Sequence, residues 1–389
     1  ELKLSGLDPA RLAPVPGGNV NAALRLVADW SDGPAATVTL QRLGGELAGK
    51  PLSGSGQVRY AESTVDLDRL RLAAGDASLS LDGSAGRHLA LDWELRVPRV
   101  SAVLTGYEGR VEGHGTLRGT REEPQRDLDV QEGDLAGGAG VTVDSLGLQG
   151  RVSPTGEVES NLTLTVKGAD LPRVQVSEVG VRLFGTPGNH GLEVQAKTDR
   201  GGLELRAEGR WHADAWAGRV LRASVSPIER SPWTLGEPAA VSWQGRSLTW
   251  DRACLRRLEA ELCLTGRVGE GSWNVGLDAR GVPVDTVASY WRRDLDYAGR
   301  FDLRGELRSN GGPVVGRIRV ETTPGRVIGA LATETTTLLA YGQGLVDLRL
   351  EPERIRAELR LPLSGDGELA GRVALERTES AALDGYIEA

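Results

Sequence analysis

The sequence predicts an all-β protein: one long, continuous, strongly curled and mainly antiparallel sheet whose apolar face lines a groove, with only a few short helices. Three observations carry this. Segments such as Asn161–Lys167, Leu203–Glu208, Arg300–Arg304 and Asp347–Leu350 alternate apolar and polar residues, which gives a strand one greasy and one wet face. Turn signals recur about every 8–14 residues, the rhythm of an antiparallel meander. Finally, 53 Gly accompany only 4% aromatics, two Phe and no Met, so Leu and Val supply most apolar contacts while Gly serves tight turns and bulges. We expect about 26 strands. An open sheet rarely passes about ten strands without curling; a closed solenoid is the alternative.

The turn signals in order are Gly17-Gly18, Asp32-Gly33-Pro34, Gly44-Gly45, Gly137-Gly138, Pro187-Gly188-Asn189, Gly201-Gly202 and Asn310 through Pro313. Helices are expected only at 8–13, 100–104, 285–291 and, more weakly patterned, 330–340. Three of these share a frame, a Leu/Val-rich strand end running into a short helix and then a Gly-led strand. Leu7, Val97 and Val282 mark its phases, a period of about 90 residues, and repetition of that kind indicates a quasi-one-dimensional stack. No linker or composition shift divides the chain. We therefore expect one continuous repeat-built unit over 1–389, with approximate repeats 1–95, 96–280 and 281–389 and no separate catalytic domain. The strand-like ends, Glu1–Ser5 and Asp384–Glu388, and the lack of Met read as an internal fragment.

Composition excludes several classes. The net charge is −8, from 46 basic and 54 acidic residues, without the basic face that nucleic acid requires. No apolar run reaches the roughly 18 residues of a membrane-spanning helix. His88, His114, His190 and His212 stand singly beside turns, without metal-ligand spacing. The stretches Gly113–Gly119 and Gly365–Gly371 miss the G-x-G-x-x-G spacing and its strand–turn–helix setting, and read as sheet bends. Carboxylates alternate with Arg, as in Glu351–Glu358, which is a solvated face with cross-strand pairs. Asn161-Leu-Thr163 is a glycosylation sequon without an extracellular context. We expect no enzyme activity, no cofactor and no metal.

Cys254 and Cys263 flank a short hairpin. With its turn at Leu258-Glu259 they face each other across the ladder, at a separation that suits a disulfide; two free buried thiols are the alternative. Leu262 and Leu264 would face the groove, so Cys263 faces outward. A disulfide implies an oxidising compartment.

These residues also carry a family resemblance. Trp216–Arg219, the Trp-x-Leu-x-x-Pro element at Trp233–Pro238, Trp243, the hairpin Cys254–Cys263 with its Ala260-Glu261, then Val284–Tyr290 and Gly299, together resemble the TamB family of AsmA-like proteins. Leu255 stands where that family usually has an aromatic. Outside this block the similarity is one of texture. The resemblance implies a β-taco groove in the periplasm of Gram-negative bacteria that carries phospholipid between inner and outer membrane. It also implies an inner-membrane anchor and an outer-membrane barrel partner, TamA, both reached through parts outside this fragment.

Candidate groove-lining residues are Leu79, Leu81, Leu89, Leu91, Leu95, Leu162, Leu164, Val166, Leu203, Leu205, Leu262, Leu264, Leu303, Leu348 and Leu350, with acyl chains as the ligand. A dry packed core is the alternative for each. Competing functions are a non-enzymatic scaffold that assembles outer-membrane barrel proteins by edge pairing, a polysaccharide-cleaving solenoid, which would need aromatic platforms, and an adhesin, which would need a shorter period.

Overall fold

A computed structural model describes residues 1–11, 17–31, 33–102, 106–137, 140–155, 158–172, 174–228, 231–288, 295–331, 334–365, 367–377 and 383–388. The chain is all-β, and its strands pair antiparallel. It divides into two compact units, Glu1–Arg206 and Ala207–Ala389.

The first unit is a meander. Its strands are β1 (Leu2–Leu7), β2 (Gly18–Asp29), β3 (Ala35–Leu47), β4 (Lys50–Ala61), β5 (Thr64–Ala74), β6 (Ala77–Ala85), β7 (His88–Val97), β8 (Glu108–Thr120), β9 (Pro124–Gly137), β10 (Val141–Val152), β11 (Ser160–Leu171), β12 (Val174–Thr186) and β13 (Asn189–Thr198). Each pairs with the next. Strand β14 (Gly201–His212) contains the division between units.

The second unit continues with β15 (Ala215–Pro227), then a strand interrupted into β16 (Trp233–Leu235) and β17 (Ala239–Gln244), then β18 (Ser247–Arg257). Both pieces pair with β15 on one side and β18 on the other. Pro238 falls in the break, as a residue with no N–H for the ladder must. The ladder runs on through β19 (Ala260–Gly269) and β20 (Ser272–Pro283). A short helix α1 (Asp285–Ala288) and β21 (Asp296–Ala298) precede β22 (Arg300–Asn310) and β23 (Val315–Thr322). After β24 (Gly325–Leu331) and β25 (Glu334–Tyr341), it resumes with β26 (Leu345–Leu350), β27 (Arg354–Pro362), β28 (Glu368–Glu376) and β29 (Leu383–Glu388). Strands β21, β24 and β25 form their own three-stranded sheet, tied by Tyr341 Oη donating to the Ala298 carbonyl at 3.1 Å.

Several sequence expectations change. The segment 330–340 is not helical: its described residues belong to β24 and β25. The β-branched run Thr335-Thr336-Thr337 follows Val327-Ile328, and such residues favour strands over helices. Of the helix expected at 8–13 the described residues show a 3₁₀ turn, Pro9–Arg11, and of that at 100–104 another, Val100–Ala102; residues 12–13 and 103–104 lie outside the described residues. That at 285–291 is helical over Asp285–Ala288; Tyr290 and Trp291 lie outside the described residues. Gly44-Gly45 is not a turn but lies inside β3. The reversal sits at Ala48-Gly49, with φ of 52° and 71°, the mirror-image geometry a two-residue hairpin prefers. Gly201-Gly202 opens β14, one step after the reversal. His114 lies not beside a turn but within β8, in register with Glu94 and Asp129.

Among the described residues, few apolar side chains are fully buried. The buried apolar cluster is Trp233, Ala260, Ala279 and Val282. The chain exposes 24712 Å², whereas two compact domains of half this mass would together expose about 18,000 Å².

Among the described residues, one carboxylate is buried. Asp347 is 7% exposed, accepts from Arg317 Nε at 3.1 Å on both oxygens and pairs with Arg349 at 3.3 Å. Hydrogen bonding from Arg317 holds its carboxyl below the ordinary range. A lowered folded-state pKa contributes stability above the unfolded pKa, lost as pH falls through the folded one. Asp347→Asn is therefore expected to cost about 1.5–3 kcal/mol at neutral pH, with the gap in urea midpoint closing in acid.

Candidate functional site: an apolar face built row by row

Cross-strand register turns the alternation into continuous rows. In the first unit one row takes a residue from each of β1 to β13: Leu4, Ala22, Leu43, Gly54, Leu72, Leu79, Leu95, Gly113, Val130, Leu148, Leu164, Val181 and Val194. Every member is apolar or Gly. A parallel row runs Leu70, Leu81, Trp93, Gly115, Leu128, Gly150, Leu162, Leu183, Leu192. Leu89, Leu91 and Val166 belong to flanking rows of the same face. Leu203 and Leu205 share one side of β14 by their spacing.

The second unit repeats the construction. One row is Leu255, Leu262, Ala279, Leu303, Val320, Val346, Leu359; the next is Leu264, Leu277, Gly305, Ile318, Leu348, Ala357, Val373. Leu350 lies in a third, between Gly316 and Ile355. Thus each unit places its candidate residues on one face. None is fully buried: all are half-buried except Leu203, which is 38% exposed.

The opposite face is charged. Ser80, Glu94, His114, Asp129, Gln149, Thr163, Arg182 and Glu193 form one register row. Exposed pairs such as Arg118–Asp92 at 2.6 Å and Arg151–Asp127 at 2.8 Å contribute little to stability individually. A hollow lined by Arg71, Glu94, His114 and Asp129, among others, opens over this face; acids and bases lie side by side there.

Sequence reasoning missed two features of the apolar face. Trp93 lies across Gly115, Trp250 across Gly266, and Trp216 across both Gly209 and Gly218; a Cβ at any of these glycines would collide with the indole. Register pairs Trp93 with Gly115 and Trp250 with Gly266, so the large ring lies flat where its partner has no side chain. Hairpin arithmetic could have found this. The second is Glu132, which continues the alternation of Leu128 and Val130 and sits between Val111 and Leu146 in register. It has no ion pair or hydrogen bond among the described residues, and desolvation pushes its carboxyl above the ordinary value. A raised folded-state pKa gives stability that is present below the unfolded pKa and lost as pH rises through the folded one. Glu132→Gln is expected to melt higher than the parent at neutral pH, the gap vanishing as pH falls below the unfolded carboxylate pKa. An unchanged gap across pH contradicts this.

Cys254 and Cys263 are opposed in register, 4.0 Å apart at Cα, and joined as a disulfide. Cys263 lies on the charged face beside Asp278, yet it is only 2% exposed. The Arg252 guanidinium covers the bridge, its Nε 3.2 Å from Cys254 Sγ and its Nη2 3.2 Å from Cys263 Sγ. Glu261 completes a grouping with metal-ligand spacing, but bridged sulfurs offer no thiolate. Thiol titration of denatured, unreduced protein from an oxidising compartment should find none free; two free thiols would overturn the pairing.

No helix among the described residues is long and apolar enough to cross a membrane. Comparison with family models gives a match over residues 1–389 to the family described as TamB, N-terminal domain. With the whole length matched, and with the Trp233–Pro238 element and the Cys254–Cys263 hairpin in adjacent strands of one ladder, the chain belongs to the TamB family.

Proposed function

We propose that the chain is a periplasmic segment of a lipid conduit, shielding the acyl chains of phospholipid between inner and outer membrane in a Gram-negative envelope. The observation that carries this reading is the unbroken apolar row through β1 to β13, matched in the second unit, with side chains half-buried rather than sealed. Each CH₂ kept from water is worth about 0.8 kcal/mol, so a diacyl lipid is well held on such a face. Passage requires a flat energy profile rather than a tight pocket, and small aliphatic walls supply one. The fifteen candidate residues named above form the walls, each unit building its own stretch of groove. The protein is not an enzyme. An anchor in the inner membrane and the barrel protein TamA at the outer membrane complete the route through other parts of the full-length chain.

Native mass spectrometry of the chain purified from an envelope fraction tests this. Co-purified phospholipid supports it. Lipid-free protein that takes up none from vesicles overturns it in favour of the scaffold for barrel-protein assembly.

A further inference from the structure

Arg257 ends β18 at the margin of the apolar face. It shares a side with Leu255 by spacing and is in register with Ala260. Its guanidinium carbon lies 5.9 Å from the Trp233 ring centroid. Trp233 and Ala260 belong to the buried cluster, against which Leu255, Leu262, Phe301 and Leu303 pack. Arg257 Nε and Nη1 are both buried, and neither meets a hydrogen-bond partner.

The nearby carboxylates are engaged elsewhere. Glu261 accepts from Arg256 Nε at 2.9 Å, and Glu259 from Arg300 Nη1 at 2.7 Å. A desolvated cation without a counter-ion is costly, and an aromatic face compensates only in part. A planar guanidinium fork matches the oxygens of phosphate or carboxylate; because Nε and Nη1 are covered, the fork must turn outward to meet them. The surroundings narrow the choice: a small free anion gains nothing from Leu255, Leu262 and Leu303, whereas an amphiphile can use both.

We propose that Arg257, braced by Trp233, is an anion seat at the margin of the apolar face that takes the phosphate of a phospholipid head group while the acyl chains lie along the adjoining leucine row. The proposal rests on the conduit reading and adds to it a fixed point for the head group.

The test uses purified full-length protein and two lipids with identical acyl chains, phosphatidylglycerol and diacylglycerol, with glycerol phosphate as competitor. The parent is expected to hold phosphatidylglycerol more tightly by roughly tenfold or more, the worth of a charged hydrogen bond. Arg257→Leu should lose that preference while binding diacylglycerol as the parent does. Lipid-free Arg257→Leu should melt no lower than the parent, because the uncompensated charge is gone; a lower midpoint means that the arginine is structural and overturns the seat. Equal binding of both lipids by the parent overturns the seat alone. Glycerol phosphate binding as tightly as the lipid assigns the seat to a free anion and overturns the lipid assignment. Binding of neither lipid overturns the conduit reading itself.

Discussion

A photo-crosslinking residue at position 205 of the full-length protein in cells is expected to capture lipid, and one at 206 is not. The two positions are adjacent on β14 and point to opposite faces. Leu205 is half-buried on the apolar side, whereas Arg206 is exposed and pairs with Glu193 at 3.5 Å. Leu205→Arg should block lipid passage with only a modest loss of melting temperature, since a face open to solvent can hydrate a charge that a packed core cannot. Arg206→Glu should affect neither, since an exposed pair is worth about 0–1 kcal/mol. Equal labelling at both positions, or unfolding by the charge at 205, means that the face is sealed and the conduit reading falls.

Much of this face was legible in the sequence because strand alternation has a period of two and tolerates no ambiguity of side. Leu162, Leu164 and Val166 declare their face without knowledge of their partners. What stayed illegible depends on register between strands. Gly44-Gly45 has the composition of a turn, yet its backbone serves the middle of β3: Gly45 has φ of 107°, and a Cβ there would collide with the Asn19 carbonyl. Composition cannot separate that use from a hairpin. Cys263 is similar. Its parity correctly sets it against the leucines, but its burial comes from Arg252, two residues from Cys254 on the partner strand. At 330–340 the Leu and Ala content suggested a helix, and the run of Thr with a strand partner in β24 prevailed.

The charged position inside an apolar row illustrates the reverse. Glu132 breaks the pattern of β9, and Arg257 breaks that of β18. A pattern read only for its regularity passes over both, although residues that violate a local rule are where function or strain is expected. Glu132 is desolvated beside apolar register neighbours, and Arg257 Nε and Nη1 are buried without a hydrogen-bond partner.

The glycines beneath the tryptophans allow the strongest test of how the face itself is built. Gly209 lies on the same side of β14 as Leu205, and the atoms nearest to an added Cβ there all belong to the Trp216 ring. Gly209→Ala should thus force the indole off the sheet, costing about 1–3 kcal/mol by overpacking. Trp216→Ala removes the ring that covers Gly209 and Gly218 and should cost at least as much. In the double variant the new methyl has nothing to strike. Its stability should match that of Trp216→Ala alone or exceed it, a coupling of about 1–3 kcal/mol for residues in direct contact. Simple additivity in urea denaturation would show that the ring does not rest on Gly209. If the coupling appears, the same logic makes Gly115 and Gly266 seats for Trp93 and Trp250. The large rings then lie flat on the apolar face rather than standing across it.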